Sequence, residues 1–204
     1  MTFLTTNNYE LFYSMPPAAG QTQATFTTAA LVTPSTTSSG GPVCKMPDPY
    51  TTWQGNIVGK SFRVVGRGSW GDTSAAPTFK MQLGFDTTQG TLAANYAGTG
   101  AVTCPTASVT NGAGGGSWLF EADITWSAIS MNAAGVYSYS AYVTGEFSLN
   151  SPTASAGGGI TGSAQPITGL LSSSTYFLEL WATCGTSNGS NAITCTHFKV
   201  YGEN

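Results

Sequence analysis

Short segments that alternate apolar and polar residues, separated by glycine-rich turns, recur from about residue 51 to the C-terminus. In KSFRVVGRGSW, Phe62 and Val64 share one face of a strand, and Arg63 and Arg67 share the other. Residues two apart on a strand point the same way, so this pattern predicts half-buried β-strands. No segment keeps a helical 3.6-residue period. The sequence therefore predicts an all-β fold, an antiparallel two-sheet sandwich of jelly-roll type.

Residues 1–50 differ from the rest of the chain because prolines interrupt them repeatedly. Proline removes a backbone donor and breaks both helices and strand ladders. We therefore predict an extended N-terminal arm over residues 1–50 and a sandwich domain over residues 51–204. Two alternatives remain: the arm lies on a neighbouring subunit, or the segment is a strand-rich start of the same domain. Tyr9, Phe12 and Phe26 are its candidate subunit or capsid contacts.

Charged residues are scarce, with 6 Lys and Arg against 9 Asp and Glu in 204 residues. Nucleic-acid binding needs clustered cations, so we expect no nucleic-acid partner. No apolar run approaches the roughly 20 residues of a membrane helix, and the N-terminus lacks the pattern of a secretion signal. We expect no membrane association. We expect the protein to fold in a cytoplasm. A weakly charged, hydroxyl-rich surface favours lasting contact with other proteins.

One stretch near the C-terminus collects candidate metal ligands. ELWATCGTSNGSNAITCTHFKVY holds Cys184, Cys195 and the single histidine, His197, around an Asn-Gly turn that predicts a closing β-hairpin. A zinc site would need a fourth ligand, and the stretch has no CxxC or HxxxH spacing to provide it. Two half-buried or buried thiols and a surface histidine are the favoured interpretation. We expect no metal and no cofactor.

Two pairs of residues raise the question of catalysis. Cys195 and His197 would face the same way on one strand, but such neighbours are about 6.5–7 Å apart, and no oxyanion loop adjoins them. Glu121 and Asp123 share a strand face, which invites comparison with the paired carboxylates of a glycosidase. Acidic residues on an outward strand are more often solvated or paired with cations. We therefore expect a protein without enzymatic activity.

Arg63 and Arg67 are two of only six cations and lie on one predicted strand face. Arginine suits bidentate pairs at interfaces, so both are candidate subunit or capsid contacts. The alternative is that they lie on an exposed face and pair with acidic residues of the same chain.

Large aromatic side chains are spread over the predicted strands. Tryptophans and a tyrosine cluster could form a platform for stacking sugars, or they could fill the sandwich core and subunit interfaces. The core or interface interpretation is favoured for most of them. The residues concerned are Trp70, Trp118, Trp126, Trp181, Tyr137, Tyr139 and Tyr142.

The order of segments along the chain resembles a group of virion proteins of tailed bacteriophages, particularly those of actinobacteria. The resemblance is carried by YELFYSMPPAAGQTQATFTTAAL, GKSFRVVGRGSWGDTSAAPTFKMQLGFDTT, GSWLFEADITW and SNAITCTHFKVYG. The group comprises small jelly-roll proteins described as minor capsid, head-decoration, head-fibre or minor tail proteins. None of these segments is a catalytic motif, so no functional residues carry over.

The resemblance implies a structural protein that decorates the capsid and stabilises the head shell. Its expected partners are the major capsid protein and two further copies of itself in a homotrimer, since cyclic trimers suit local three-fold positions of an icosahedral shell. The expected location is the virion, after assembly in the host cytoplasm. The alternative is a tail-fibre or minor tail domain that binds a host-surface glycan.

Overall fold

The computed structural model describes residues 10–16, 20–24, 26–34, 43–71, 78–90, 102–103, 107–108, 114–150, 155–159, 165–186 and 188–203. The strands are β1 (Glu10–Ser14), β2 (Thr22–Ala24), β3 (Ala30–Leu31), β4 (Ser61–Gly71), β5 (Thr78–Asp86), β6 (Val102–Thr103), β7 (Ala107–Ser108), β8 (Gly116–Met131), β9 (Tyr137–Asn150), β10 (Ser155–Gly159), β11 (Gln165–Leu171), β12 (Phe177–Cys184) and β13 (Ala192–Glu203). One short helix, α1 (Pro49–Trp53), precedes β4. Among the described residues, no helix has the length and apolar character needed to cross a membrane.

The strands form two antiparallel sheets that pack as a sandwich. Sheet A has the order β1-β13-β4-β8-β9-β10, and β2 also pairs with β13 while β11 also pairs with β9. Sheet B has the order β3-β12-β5-β6, and β7 also pairs with β5. The predicted all-β, two-sheet antiparallel sandwich is confirmed. Its jelly-roll type stays a prediction.

The core lies between the sheets and follows the period-two pattern of the sequence. On β8 the inward residues are Trp118, Phe120, Ala122, Ile124 and Trp126, all buried, and they alternate with more exposed residues. The facing strand β12 contributes buried leucines and alanine from the other sheet. Each large side chain removed from water stabilises the fold by about 1.5–3 kcal/mol, so this layer supplies most of the driving force.

Described parts of the N-terminal segment cover edges of the sandwich. Strands β1 and β2 pair with β13 in sheet A, and β3 pairs with β12 in sheet B. The backbone N–H of Met46 also donates to the carbonyl of Tyr176, at 2.8 Å. The described residues between 10 and 50 therefore run along the sandwich of their own chain. This arrangement matches the second alternative given above, in which the segment is a strand-rich start of the same domain. The boundary predicted near residue 50 does not separate these residues from the sandwich.

The predicted closing hairpin is wrong. Strand β12 belongs to sheet B and strand β13 to sheet A, so the connection between them crosses from one sheet to the other. The Asn-Gly turn lies within this crossover. Alternation along two consecutive strands shows that each has a buried face, but it does not say whether the strands pair with each other or face each other across the core.

Deleting residues 1–46 should abolish folding rather than release a stable sandwich. The deletion removes β1, β2 and β3 together with six buried side chains, each of which contributes about 1.5–3 kcal/mol. Their sum is comparable with the whole stability of a domain, about 5–15 kcal/mol. Circular dichroism and solubility measurements on the truncated chain test this expectation. Deletion of residues 1–9 serves as the control and should leave a cooperative unfolding transition. The side chains concerned are Met15, Phe26, Leu31, Val32, Cys44 and Met46.

Candidate functional site

The outward face of sheet A carries a network of charges centred on Arg63. Strand β4 lies between β13 and β8, which places Arg63 opposite Tyr201 on one side and Asp123 on the other. Its guanidinium is 2.9 Å from a carboxylate oxygen of Glu121 and 3.9 Å from one of Glu203. The predicted pairing of the acidic strand face with cations is therefore present, within one chain.

The electrostatics of this network show that it holds more negative charge than Arg63 alone neutralises. Partial burial by itself would lower the pKa of Arg63, but Glu121 and Asp123 outweigh that effect and raise it. The pKa of Asp123 is raised, first by burial and then by Glu121, although Arg63 opposes the shift. Burial and the charge of Asp123 likewise raise the pKa of Glu203. Arg63 is thus the cation that allows three carboxylates to share this part of the face.

Arg67 lies at the margin of the same network. Its side chain is 60% exposed, and its guanidinium is 3.9 Å from Glu121, compared with 2.9 Å for Arg63. Directly opposite on β13 is His197. Burial and the positive charges of Lys199 and Arg67 lower the pKa of His197, so its imidazole is neutral at pH 7. Arg67 therefore retains most of its hydrogen-bonding capacity for groups outside the chain.

The aromatic contact candidates of the N-terminal segment pack inside their own chain. Phe26 is 7% exposed, and its ring lies 6.5 Å from that of Phe79. The ring of Phe12 meets that of Phe62 edge-on at 5.5 Å. Tyr9 lies outside the described residues. Four of the five predicted contact residues lie in the described part of the chain. Among those four, Arg67 is the residue with a mostly exposed side chain.

The cysteine and histidine residues of the C-terminal stretch do not come together as one site. Cys184 is on β12 and Cys195 on β13, in different sheets, and both are buried. Each thiol donates to a nearby backbone carbonyl, Cys184 to Thr186 at 3.2 Å and Cys195 to His197 at 3.5 Å. Burial raises the pKa of Cys195 to about 12, which keeps it a thiol. Within the described ranges, no three His, Cys, Asp or Glu residues form a group that could hold a metal ion.

Three of the four tryptophans named above, Trp70, Trp118 and Trp126, belong to the sandwich core, which is the interpretation favoured for most of the aromatic residues. Trp70, Trp118, Trp126 and Trp181 are all buried. Of the tyrosine cluster, Tyr139 is buried and Tyr142 is 47% exposed on the outward side of β9. Tyr137 stacks on Tyr50, with ring centroids 4.1 Å apart. The tryptophan rings are therefore not offered to solvent as a stacking platform.

The structure also reveals a buried acidic pair that sequence reasoning missed. Glu179 on β12 and Asp86 at the end of β5 are 3% and 9% exposed. Glu179 accepts a hydrogen bond from the backbone N–H of Gly90 at 2.9 Å, and Asp86 accepts one from that of Thr88 at 2.6 Å. Both residues occupy outward positions by alternation, so the pattern predicts exposure. The turn that follows β5 folds back over both acidic side chains. No local sequence pattern predicts that contact.

Comparison of this chain with family models, with curated proteins and with solved structures found no match.

Replacing Arg63 by glutamine should lower the free energy of unfolding by about 1–2 kcal/mol at pH 7, because three carboxylates then lose their shared cation. The loss should shrink as the pH falls, since Asp123 and Glu203 already have raised pKa values and take up protons more readily once Arg63 is gone. Urea unfolding at pH 7 and at pH 5 measures both effects. Arg67→Gln is the matched control and should cost less than about 0.5 kcal/mol. Equal losses for the two variants would contradict the central role of Arg63.

Replacing Glu179 by glutamine should raise stability at neutral pH and remove part of its pH dependence. Burial raises the pKa of Glu179, and the hydrogen bond from Gly90 offsets this only partly. A carboxyl group with a raised folded-state pKa binds its proton more tightly when folded, so the wild-type chain gains stability as the pH falls from neutral towards the unfolded-state value. The amide cannot ionise, yet its oxygen can still accept from Gly90. Chemical denaturation between pH 7 and pH 5 should show a flatter profile for the variant than for wild type.

Proposed function

We propose that this chain is a structural protein of a tailed-bacteriophage virion, without catalytic activity. In this role it decorates the head shell, binds the major capsid protein and stabilises the shell as a homotrimer. The alternative role is that of a minor tail or tail-fibre domain, present in few copies, that contacts the host surface.

The observation that carries the proposal is the pairing of charges within the chain on the central strands of the outward face of sheet A. Strands β4, β8 and β13 carry three cations and three carboxylates, and the closest of them pair within the chain. Strand β9 adds a fourth carboxylate, Glu146, opposite Glu121. Burial of an ionic group is costly when its charge is left unpaired. A face whose charges pair within the chain leaves few unpaired charges when another protein covers it. The charged residues of β4, β8 and β13 are Arg63, Arg67, Lys199, Glu121, Asp123 and Glu203.

Two further features support a docking role for this face. Serine and threonine side chains lie among the charges, and Ser61 and Thr125 hydrogen-bond to each other across β4 and β8 at 2.9 Å. Arg67 is mostly exposed and can pair with a carboxylate of a partner, while Arg63 is held by its own chain. In this proposal Arg67 gives the contact its specificity, and the paired charges around Arg63 keep the face rigid.

Quantitative mass spectrometry of purified particles, with the major capsid protein as internal standard, tests the proposed role. A ratio on the order of one trimer per local three-fold axis is the expected result for a shell decoration. A few copies per particle would favour the tail role instead, and absence from particles would overturn both.

The isolated chain provides a second test. Sedimentation equilibrium should give the mass of a trimer. In a separate binding assay with particles that lack this protein, Arg67→Glu should weaken binding by at least about tenfold. Lys80→Glu is the matched control because Lys80 lies on β5, in the other sheet. Equal capsid binding by the two variants would contradict the assignment of the docking face.

A further inference from the structure

A cavity of about 270 Å³ is bordered by both polar and apolar residues. Three separate segments build its wall: residues 45–49 before and at the start of α1, Tyr139 on β9, and residues 171–176 after β11. The three segments are far apart in the sequence, so their meeting is a property of the tertiary structure. The cavity lies apart from the charged network around Arg63, because none of the residues of that network lines it.

Two lining residues, Asp48 and Tyr139, are held in place by hydrogen bonds. The hydroxyl of Tyr139, a residue only 1% exposed, donates to a carboxylate oxygen of Asp48 at 2.6 Å. The other oxygen of Asp48 accepts from the backbone N–H of Thr51 at 3.0 Å. Burial and the bond to Asp48 both raise the pKa of Tyr139, which keeps this hydroxyl protonated. The orientation of the Asp48 carboxylate is therefore set before any ligand arrives.

The part of the lining formed by residues 171–176 is fixed in a similar way. The hydroxyl of Tyr176, 3% exposed, accepts from the backbone N–H of Leu171 at 2.8 Å. The side-chain oxygen of Ser172 accepts from the backbone N–H of Tyr137 at 3.0 Å, and the backbone N–H of Ser172 donates to the carbonyl of Tyr137 at 2.9 Å. A site assembled in this way loses little conformational entropy when a ligand binds.

The chemistry of the lining favours a neutral, hydroxyl-rich ligand. Its charges are one cation, Lys45, and one carboxylate, Asp48, so the wall has no excess of either sign. Recognition of a phosphate or sulfate usually takes several cations or a fork of N–H groups. This lining has one ammonium group, on Lys45, and one carboxylate, on Asp48. Ser174 and Thr175 add hydroxyl groups, each of which both donates and accepts hydrogen bonds.

Apolar groups complete the lining in a way that suits the C–H faces of a sugar ring. Met46, Pro49 and Leu171 border the same space, and Leu171 is 39% exposed at its edge. A volume of about 270 Å³ lies just below the range of roughly 300–1,000 Å³ typical of sites for drug-sized ligands, which limits the occupant to about one ring.

We propose that this cavity binds a single neutral pyranose unit, with Asp48 and Lys45 hydrogen-bonding its hydroxyls and Met46, Pro49 and Leu171 contacting its C–H groups. The proposal does not depend on the virion role. A glycan terminus on a cell surface and a free monosaccharide share this chemistry, and the cavity has room for the terminal ring of either.

Titration of the ¹⁵N-labelled full chain with methyl glycosides of glucose, galactose, mannose and N-acetylglucosamine tests the proposal. At least one glycoside should shift the amide resonances of Leu171, Ser172 and Thr175 saturably, with a dissociation constant in the millimolar range that such small ligands allow. Titration of the same sample with a glycan that ends in the binding sugar distinguishes the two sources. Tighter binding of the glycan than of its methyl glycoside indicates a surface glycan, and equal binding indicates a free sugar.

Thr175→Trp should fill the cavity from its exposed rim and weaken binding by at least about tenfold, with the melting temperature unchanged. Thr144→Trp, the same exchange at an exposed position on the outward face of β9, is the matched control and should bind like wild type. Lys45→Ala provides a second variant that removes a polar contact without adding bulk, and it should also weaken binding. Three results would overturn the proposal: no binding by any of the four glycosides up to about 50 mM, undiminished binding by Thr175→Trp, or saturation of the same resonances by inorganic phosphate but not by sugar.

Discussion

The packing of Trp118 against two glycines of β4 is the contact on which the rest of the sandwich depends. The indole N–H donates to the carbonyl of Thr194 on β13, at 3.0 Å, so one side chain of β8 reaches across β4 to the next strand. A Cβ atom at Gly68 would lie 2.5 Å from this nitrogen, and one at Gly66 would clash with Leu180 of sheet B. The two sheets can therefore approach each other here because β4 has no side chains at these positions.

That close approach has consequences on both faces of sheet A. Inside, it brings the large residues of β8 into contact with sheet B and excludes water from the core. Outside, it holds β13, β4 and β8 in the register that places Arg63 between Tyr201 and Asp123. The charged network is thus set by core packing, because a slip of one residue would turn Arg63 into the core and a core residue into solvent.

The two proposed surfaces differ in how they are built. The outward face of sheet A arises from residues on neighbouring strands, and two of the three acidic members of its network, Glu121 and Asp123, were predicted from the sequence to share a face and to pair with arginine. The third, Glu203, was not predicted. The cavity at Asp48 and Tyr139 joins a loop, a strand and a turn, and its members look unrelated in the sequence. Phe12 and Phe26 also show that the sequence does not reveal which segment a side chain packs against. Aromatic residues in a proline-rich segment were predicted to contact a partner, but each ring packs in its own chain.

The sequence alone determined the fold class, the inward and outward sides of the long strands, and the burial of Trp118 and Trp126 on β8. These properties follow from a local cause, the two-residue period of a strand beside a core. The tertiary structure decided the sheet to which each strand belongs, the place of the described residues between 10 and 50 on the sandwich edges, the burial of Glu179 and the cavity at Asp48. Each of these depends on contacts between residues far apart in the chain, and alternation carries no information about which distant segment will cover a given face or edge.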